Sequence, residues 1–310
     1  MPVLKVSDVR KKYDKSEVLH GIDFYVEDKE VYGLLGPNGA GKSTLLNIVV
    51  NLVTDYTGEV ELFGEKINRS SLLNIGFVPQ DLAIYEDLSA YQNVKFFGSL
   101  YKLKGKDLQD KCEAALKMVG LWEQRKKRPS TFSGGMKRRL NIACSIVHNP
   151  KLIILDEPTV GIDPQSRNYI LESIKAINKA GATIIYTSHY MEEVEAICDK
   201  VAIIDDGNIV ENGLISKIKE KYQKNNCYEY ILESGTQIKS IFPKALIASI
   251  TTVDNKTVVT FKRDFAMIEE VAALALGSDK KAFISIGKYR PNLEDIFLDI
   301  TGKALRDGGN

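Results

Sequence analysis

The segment GPNGAGKS at residues 36–43 constrains the fold of this chain more than any other feature of its sequence. It matches the pattern G-x-x-x-x-G-K-[ST], in which glycines let successive backbone amides point at the phosphate oxygens of a nucleotide. A short apolar segment at residues 31–35 precedes it, and a pattern typical of a helix follows over residues 42–53. A phosphate-binding loop between a strand and a helix predicts a nucleotide-binding domain of the α/β class.

The composition argues against several other classes of protein. The chain of 310 residues has 42 Lys and Arg against 41 Asp and Glu, so no net charge favours nucleic acid or anionic lipid. Its four cysteines show no C-x-x-C spacing, which is typical of reduced cytosolic thiols rather than of a zinc site or a disulfide framework. The N-terminal segment lacks the apolar core of a signal peptide, and no apolar run approaches the roughly 20 residues that cross a bilayer. If the protein moves something across a membrane, we therefore expect a different chain to supply the channel.

The alternation of strand and helix patterns predicts two domains. Residues 1–220 are expected to form an α/β domain with a helix-rich part over about 85–150, and residues 221–310 a small α+β domain. In the first domain the predicted strands are 21–26, 31–35, 75–78, 152–155, 182–187 and a hairpin of 201–205 with 208–211. Its predicted helices include one that follows a capping box of Ser89 and Gln92, one over about 107–119, and one that follows an N-cap at Asp163. In the second domain the predicted strands are 228–232, 248–253, 257–262 and 282–286, and the predicted helices are 265–276 and 293–301.

Two carboxylates follow the apolar strand KLIIL at residues 151–155. Asp156 is expected to reach magnesium through water, and Glu157 to orient the attacking water as a general base. In the glycine-rich loop, Lys42 supplies a positive charge to the β- and γ-phosphates, and Ser43 offers its hydroxyl to magnesium. A polar strand end would explain a lone Asp-Glu pair, but its combination with the loop favours nucleotide hydrolysis.

A second glycine-rich segment, FSGGM at residues 132–136, precedes the acidic strand. Ser133, Gly134 and Gly135 open a predicted helix that runs through residues 139–148, so their amides and the helix dipole form an anion site. This site cannot usefully serve the nucleotide held by the first loop of the same chain, because the two segments lie at the ends of different helices. The mismatch is resolved if two copies face each other and each completes the site of the other.

With these motifs in this order, residues 1–220 resemble the ATP-binding subunit of an ABC transporter. The resemblance implies a P-loop NTPase fold of the ABC type, with a RecA-like core, an antiparallel β subdomain and a helical subdomain. In this family an aromatic side chain stacks on adenine, and Tyr13 lies at the matching position. A glutamine of the family contacts magnesium and the catalytic water and senses the membrane partner, and it matches Gln80. An aspartate in the loop that crosses between protomers matches Asp163, and a histidine that contacts the γ-phosphate matches His189.

The resemblance implies a set of site residues together with ATP and Mg²⁺. The residues implied to bind the nucleotide are Tyr13, Gly36, Pro37, Asn38, Gly39, Ala40, Gly41, Lys42, Ser43, Thr44, Ser133, Gly134, Gly135 and Asp163. Those implied to act in hydrolysis are Lys42, Gln80, Glu157 and His189, and those implied to hold magnesium are Ser43, Gln80 and Asp156.

The form of the second glycine segment narrows the resemblance. Phe132 and Met136 stand where the common form of the family has Leu and Gln, and the variant FSGGMKRRL is similar to the subgroup whose partners are ABC-2-type membrane proteins, mostly exporters. The segment RPNLEDIFLDITG at residues 290–302 resembles the C-terminal extension of drug-resistance and related export ATPases, and locally it predicts a helix capped by Asn292.

The resemblance implies two kinds of protein partner and no nucleic acid. The partners are a second nucleotide-binding subunit, in a homodimer or a closely related heterodimer, and integral membrane permease subunits. The expected location is the cytoplasmic face of the cell membrane, where the permease would hold the chain. A soluble ABC-type ATPase that acts without a permease and an importer ATPase remain the alternatives.

The helix-rich part also carries a group of aromatic residues. They are Tyr85, Tyr91, Phe96, Phe97, Tyr101 and Trp122. They would form either a groove that receives a helix of a partner or ordinary helix core, and the helical spacing favours core for most of them.

Overall fold

The computed structural model describes residues 1–14, 16–223, 227–232, 247–253, 256–261 and 283–302. The chain divides into two compact units, one of residues 1–218 together with the chain from residue 297 onward, and one of residues 219–296. Every residue of the predicted nucleotide site lies in the first unit.

Two sheets organise the first unit. Its strands are β1 (Leu4–Tyr13), β2 (Ser16–Val26), β3 (Val31–Leu35), β4 (Thr57–Leu62), β5 (Glu65–Lys66), β6 (Ile75–Val78), β7 (Leu152–Leu155), β8 (Thr183–Ser188), β9 (Lys200–Asp205) and β10 (Asn208–Leu214). A six-stranded sheet has the order β10-β9-β3-β8-β7-β6, in which β10 is antiparallel to β9 and the other strands are parallel. β3, β7 and β8 are buried along their whole length, which explains their continuous apolar runs.

The second sheet of this unit is antiparallel and has the order β2-β1-β4-β5. Its side chains share one hydrophobic core with the central sheet and the helix after the glycine-rich loop, as shown by Val6, Ile22, Leu45 and Ile154. The antiparallel β subdomain that the resemblance implied is therefore present.

Helices cover the sheet and form the segment between β6 and β7. They are α1 (Lys42–Val49), α2 (Arg69–Leu72), α3 (Ala90–Leu100), α4 (Gly105–Met118), α5 (Gly134–Ile146), α6 (Pro164–Lys179), α7 (Met191–Ile197) and α8 (Ile215–Lys221). Two sequence predictions about helix starts are confirmed: Ser89 and Gln92 form a capping box, and Asp163 caps α6 by accepting the Ser166 N–H. Within the described ranges, no helix is both long enough and apolar enough to span a bilayer.

The helix after the glycine-rich loop is shorter than the sequence predicts. α1 ends at Val49, four residues before the predicted end at residue 53. Asn51 adopts a φ of 60°, in the left-handed region that terminates a helix. The apolar residues after it mimicked a continuing helical pattern.

The second unit contains an antiparallel sheet of β11 (Cys227–Leu232), β12 (Ile247–Val253), β13 (Lys256–Phe261) and β14 (Phe283–Lys288), in the order β12-β13-β11-β14. These strands agree with the predicted ones within two residues. The last helix, α9 (Leu293–Thr301), is capped by Asn292, whose side chain accepts the Asp295 N–H at 2.8 Å. The predicted helix at 265–276 lies outside the described residues.

Candidate functional site

The loops that follow four parallel strands surround a cleft of about 620 Å³ at one edge of the central sheet. β3 leads into the glycine-rich loop, and β6, β7 and β8 lead to Gln80, Glu157 and His189. In open α/β sheets this carboxyl edge is where ligands bind. The predicted site residues that line the cleft are Tyr13, Asn38, Gly39, Gly41, Lys42, Ser43, Thr44, Gln80, Glu157 and His189.

The glycine-rich loop curls around the ammonium of Lys42. Gly39 and Gly41 have φ angles of 81° and 102°, which a residue with a side chain rarely adopts. Lys42 Nζ donates to Gly36 O at 2.8 Å and to Pro37 O at 3.1 Å, and its side chain is almost fully buried. Burial lowers the pKa of Lys42, and the neighbouring carboxylates of Glu157 and Asp156 oppose that shift. The loop therefore holds a buried positive charge at the start of α1.

Three predicted site residues converge on the carboxylate of Glu157. Lys42 Nζ lies 3.7 Å from Oε1, while His189 Nδ1 and Gln80 Nε2 each lie 3.5 Å from Oε2. Glu157 is 7% exposed and has a φ of 46°. A non-glycine residue in the left-handed region is strained and is often found at a functional site. The turn after β7 thus directs this carboxylate into the cleft rather than continuing the strand.

Thr187 holds the acidic end of β7 in place. Its hydroxyl donates to Asp156 Oδ1 at 2.8 Å and accepts the Glu157 N–H at 2.8 Å. Both carboxylates and the threonine are buried, so these bonds satisfy groups that water does not reach. Thr187 was not predicted as a site residue, because a threonine near the end of a buried strand has no distinguishing sequence pattern.

Tyr13 lies at the end of β1 and forms the rim of the cleft. Its side chain is 44% exposed, and Lys11 Nζ lies 4.4 Å from the ring centroid. Lys11 is itself held by Asp55, whose backbone oxygen it reaches at 2.9 Å. A ring that is anchored by a cation and remains partly exposed is suited to stacking on a planar base.

The second glycine segment lies outside the cleft. Ser133 is the N-cap of α5 and Gly134 and Gly135 are its first residues, and none of the three lines the cleft. Ser133 Oγ accepts the Met136 N–H at 3.3 Å, and a side chain at Gly135 would overlap Ser166 at the start of α6. Asp163, the N-cap of α6, lies on that same helix start and also outside the cleft. In a single copy the structure therefore does not bring these residues to the glycine-rich loop.

A buried arginine joins the second glycine segment to the loop of Gln80. Arg138 on α5 donates from its guanidinium to Pro79 O at 2.8 Å and to Gln80 O at 2.5 Å. Burial lowers the pKa of Arg138, and the charges of Asp81 and Asp156 oppose that shift. This contact was not predicted, since a basic residue inside a helix is usually a surface residue.

None of the six aromatic residues of the helix-rich part is fully buried. Tyr85 and Phe96 are exposed, and their rings meet edge to face with centroids 5.0 Å apart. Phe97 lies against both rings. The prediction of ordinary helix core for most of these residues is therefore wrong: four of them are half-buried, and Tyr85 and Phe96 form an exposed apolar patch a few residues after Gln80.

Comparisons with known proteins agree on one family. A family model described as ABC transporter matches residues 19–160. The chain is 40% identical to the linearmycin resistance ATP-binding protein LnrL of Bacillus subtilis, over 98% of this chain and 100% of that protein. It is 31% identical to the Nod factor export ATP-binding protein I of Rhizobium meliloti, over 98% of this chain and 89% of that protein.

Solved structures give the same result. The ATP-binding subunit of an ABC transporter matches with a TM-score of 0.64 and 26% identity, over 71% of this chain and 93% of that one. A dimeric ATP-binding cassette in a post-hydrolysis state, bound to ADP and phosphate, matches with a TM-score of 0.61 and 26% identity, over 68% of this chain and 98% of that one.

Proposed function

This chain belongs to the ABC transporter family as an ATP-binding and ATP-hydrolysing subunit, and we propose that it powers export through a separate ABC-2-type membrane permease. Export is supported by two relatives that match over nearly the entire chain and are named for linearmycin resistance and for Nod factor export. The FSGGM form of the second glycine segment supports the ABC-2 type.

The mechanism rests on one observation, that the side chains of Lys42, Gln80 and His189 surround the carboxylate of Glu157. A buried carboxylate with a lysine, a glutamine and a histidine within 3.7 Å is placed to take a proton from a water molecule that attacks the γ-phosphate. Lys42 and His189 then stabilise the negative charge that develops on the transferred phosphoryl group. Gln80 contacts the same oxygen of Glu157 as His189 does, and so it connects the Glu157 carboxylate to the loop after β6.

The residues assigned to magnesium fit that ion. Ser43 and Gln80 line the cleft, Asp156 directly precedes Glu157, and their hydroxyl, amide and carboxylate oxygens are the hard donors that magnesium prefers. When bound, magnesium neutralises charge on the β- and γ-phosphate oxygens.

For the second glycine segment to contact a nucleotide, a second copy of the chain is needed. Ser133, Gly134 and Gly135 form a capped helix start outside the cleft of their own chain. In the proposed dimer they close over the γ-phosphate bound to the opposite subunit, so ATP joins the two subunits and hydrolysis lets them separate. Asp163, at the neighbouring helix start, would lie at the same interface.

The permease is proposed to contact the exposed aromatic patch of Tyr85 and Phe96. This patch follows Gln80 in sequence and adjoins an apolar groove of about 270 Å³ that Phe97 and Tyr101 line. Exposed aromatic rings beside an apolar groove suit a helix of a membrane partner. Binding there would hold the chain at the cytoplasmic face of the membrane.

Replacement of Glu157 by glutamine tests the catalytic assignment. Glu157→Gln should bind ATP, accumulate as a dimer on size-exclusion chromatography and lose nearly all turnover, because an amide cannot accept the proton from water. Glu192→Gln makes the same chemical change at an exposed position and should behave like the wild type. Normal ATP hydrolysis by Glu157→Gln would overturn the assignment.

A second experiment tests the permease contact. Tyr85→Asp should keep the ATPase activity of the isolated subunit but lose co-purification with a membrane protein in detergent. Tyr25→Asp places the same charge at another exposed tyrosine and should retain the partner. Equal recovery of the membrane protein with both variants would contradict the proposed surface.

A further inference from the structure

A buried carboxylate outside the cleft collects three hydroxyl groups. Glu193 on α7 is 3% exposed. Its Oε2 accepts hydrogen bonds from Tyr186 at 2.6 Å, from Thr159 at 2.7 Å and from Ser188 at 3.0 Å. A carboxylate buried to this degree is costly unless hydrogen bonds satisfy it, so the arrangement fixes all four side chains.

The three hydroxyl donors come from the inside of β8, from its last residue and from the loop after Glu157. Tyr186 lies within β8, which is paired with β3 on one side and with β7 on the other. Ser188 ends that strand, and its Oγ also accepts the Tyr190 N–H at 2.9 Å, which closes the turn that carries His189. Thr159 lies in the loop that connects Glu157 to α6. Glu193 thus connects the turn of His189 to the loop that begins at Glu157.

The other oxygen of Glu193 faces the first turn of α6. Arg167 Nε lies 3.2 Å from Glu193 Oε1, yet neither atom has a hydrogen-bond partner among the described residues. The Arg167 guanidinium also lies 4.5 Å from the ring centroid of Tyr190. Arg167 follows Ser166, the residue against which Gly135 packs. The carboxylate is therefore an electrostatic link between the turn of His189 and the helix start beside the second glycine segment.

We propose that Glu193 is a positioning residue for ATP hydrolysis, which holds the turn of His189 in register with the loop after Glu157. Glu193 does not touch the cleft; it acts through Ser188 and Thr159. The inference rests on the role proposed above for His189 at the γ-phosphate. If Glu193 only stabilised the fold, loss of any of its three hydroxyl donors would reduce stability and leave kcat unchanged, whereas a positioning carboxylate affects kcat through the donors beside His189 and Glu157.

Three single-hydroxyl deletions separate these two roles. Ser188→Ala and Thr159→Val each remove a link to a catalytic segment, and we expect kcat to fall about tenfold while KM for ATP stays within twofold, since small displacements of catalytic groups are costly. Tyr186→Phe removes a hydrogen bond to the same oxygen, but Tyr186 is paired with both β3 and β7 and makes no bond to the turn of His189. We therefore expect Tyr186→Phe to lose as much melting temperature as the other two variants while kcat stays within twofold of the wild type.

Double variants test whether the links act as one unit. If Glu193 acts through Ser188, the variant Glu193→Leu/Ser188→Ala should be barely slower than Glu193→Leu alone, because leucine has no oxygen to accept the Ser188 hydroxyl and the same link is already broken. Fully multiplicative losses in kcat would overturn the proposal. Equal kcat losses in all three hydroxyl variants, or wild-type kcat in Ser188→Ala and Thr159→Val, would also overturn it.

His189→Ala, assayed in parallel, distinguishes failure of this inference from failure of the proposed function. If His189→Ala is slow and Ser188→Ala and Thr159→Val are not, the role of Glu193 is wrong and the role of His189 stands. If His189→Ala turns over ATP like the wild type, the role of His189 is wrong and the inference built on it falls with it.

Discussion

Gly134 and Gly135 are adjacent in the second glycine segment, but the structure places them in opposite environments. Gly134 is exposed at the first residue of α5, and a Cβ there would meet Ile162 Cδ1 at 3.8 Å, an ordinary van der Waals distance. Gly135 is buried, and a Cβ there would overlap Ser166 Cβ and Oγ. Alanine at the two positions should therefore separate an effect on activity from an effect on folding.

Gly134→Ala should fold normally and lose activity. Because the position is helical and unobstructed, alanine should leave the free energy of unfolding unchanged or raise it by up to about 1 kcal/mol. In the proposed dimer, however, the added methyl group lies between the helix amides and the γ-phosphate of the opposite subunit. We expect at least a tenfold fall in turnover, equivalent to about 1.4 kcal/mol of transition-state stabilisation.

Gly135→Ala should instead lose stability. Ser166 Cβ is bonded directly to the backbone of α6, so it cannot move aside as the end of a flexible side chain would. Overpacking of this kind costs about 1–3 kcal/mol. The second variant Gly135→Ala/Ser166→Gly removes the obstructing atoms and should recover most of that loss, less about 0.5–1 kcal/mol for glycine in a helix.

The assays are urea denaturation for stability and steady-state ATP hydrolysis over a range of protein concentrations for activity. Wild-type turnover by Gly134→Ala would show that this glycine does not face a nucleotide in the dimer. A stability loss in Gly134→Ala as large as that in Gly135→Ala would show that the packing around α5 differs from the one described. Absence of any rescue by Ser166→Gly would identify another cause for the instability of Gly135→Ala.

Two further predictions concern buried polar groups. Thr187→Val leaves the Glu157 N–H and one Asp156 oxygen without their partner, so the free energy of unfolding should fall by about 1–3 kcal/mol and ATP turnover should also fall. Thr187→Ser keeps the hydroxyl group and should retain both stability and turnover. An unchanged urea midpoint for Thr187→Val would contradict this prediction. Burial lowers the pKa of His148 from 6.5 to about 4, so below pH 6.5 the unfolded chain binds a proton that the folded chain does not, and stability falls as the pH drops towards 4. The loss should reach about 2 kcal/mol at pH 5, and His148→Phe, which can retain the stacking on Tyr101, should lack this part of the pH dependence in thermal melts; identical pH profiles of the two proteins would refute it.

Local chemistry made much of the site predictable from the sequence. The glycine-rich loop requires left-handed backbone at Gly39 and Gly41, and Ser89 and Asp163 cap helices through residues three positions away. These features depend on short segments, so the sequence alone defines them. Parallel strand order then brings Gln80, Glu157 and His189 to one edge, although they are far apart in the chain.

Contacts between distant segments were not predictable in the same way. Thr187 and Asp156 are separated by 31 positions, and Arg138 and Gln80 by 58. Thr187, Arg138 and Glu193 have side chains that are common in strands and helices, and only their burial makes them distinctive. Their positions follow from packing of complete elements, which no short pattern encodes.

The exposed aromatic patch shows why helical spacing wrongly predicted that most aromatic residues of the helix-rich part are buried. On α3 the buried face consists of Ala90, Asn93, Val94 and Gly98, whereas Phe96 points outward. Small residues allow α3 to approach its neighbours closely, and a Cβ at Gly98 would overlap Leu108 of α4. Asn93 also holds the segment of Tyr85 by accepting its N–H at 2.7 Å and donating to its carbonyl at 2.9 Å. Size and apolarity therefore did not indicate which side of this helix faces the core.

Hydrogen bonds hold the loop from Glu157 to Asp163 in a tight conformation. We therefore expect a movement at one nucleotide site of a dimer to reach the other site through this loop. The Val160 and Ile162 amides donate to Glu157 O and Thr159 O at 3.4 and 3.2 Å, so consecutive turns occupy the loop. Asp163 then caps α6, and Gly135 packs directly against the first turn of that helix. In the proposed dimer, a displacement of Glu157 in one cleft should therefore move the helix start that the same chain would present to the opposite nucleotide. Because Gly135 is in close-packed contact with the short Ser166 side chain, which cannot move aside, the contact cannot absorb such a shift, and hydrolysis at one site should alter closure at the other.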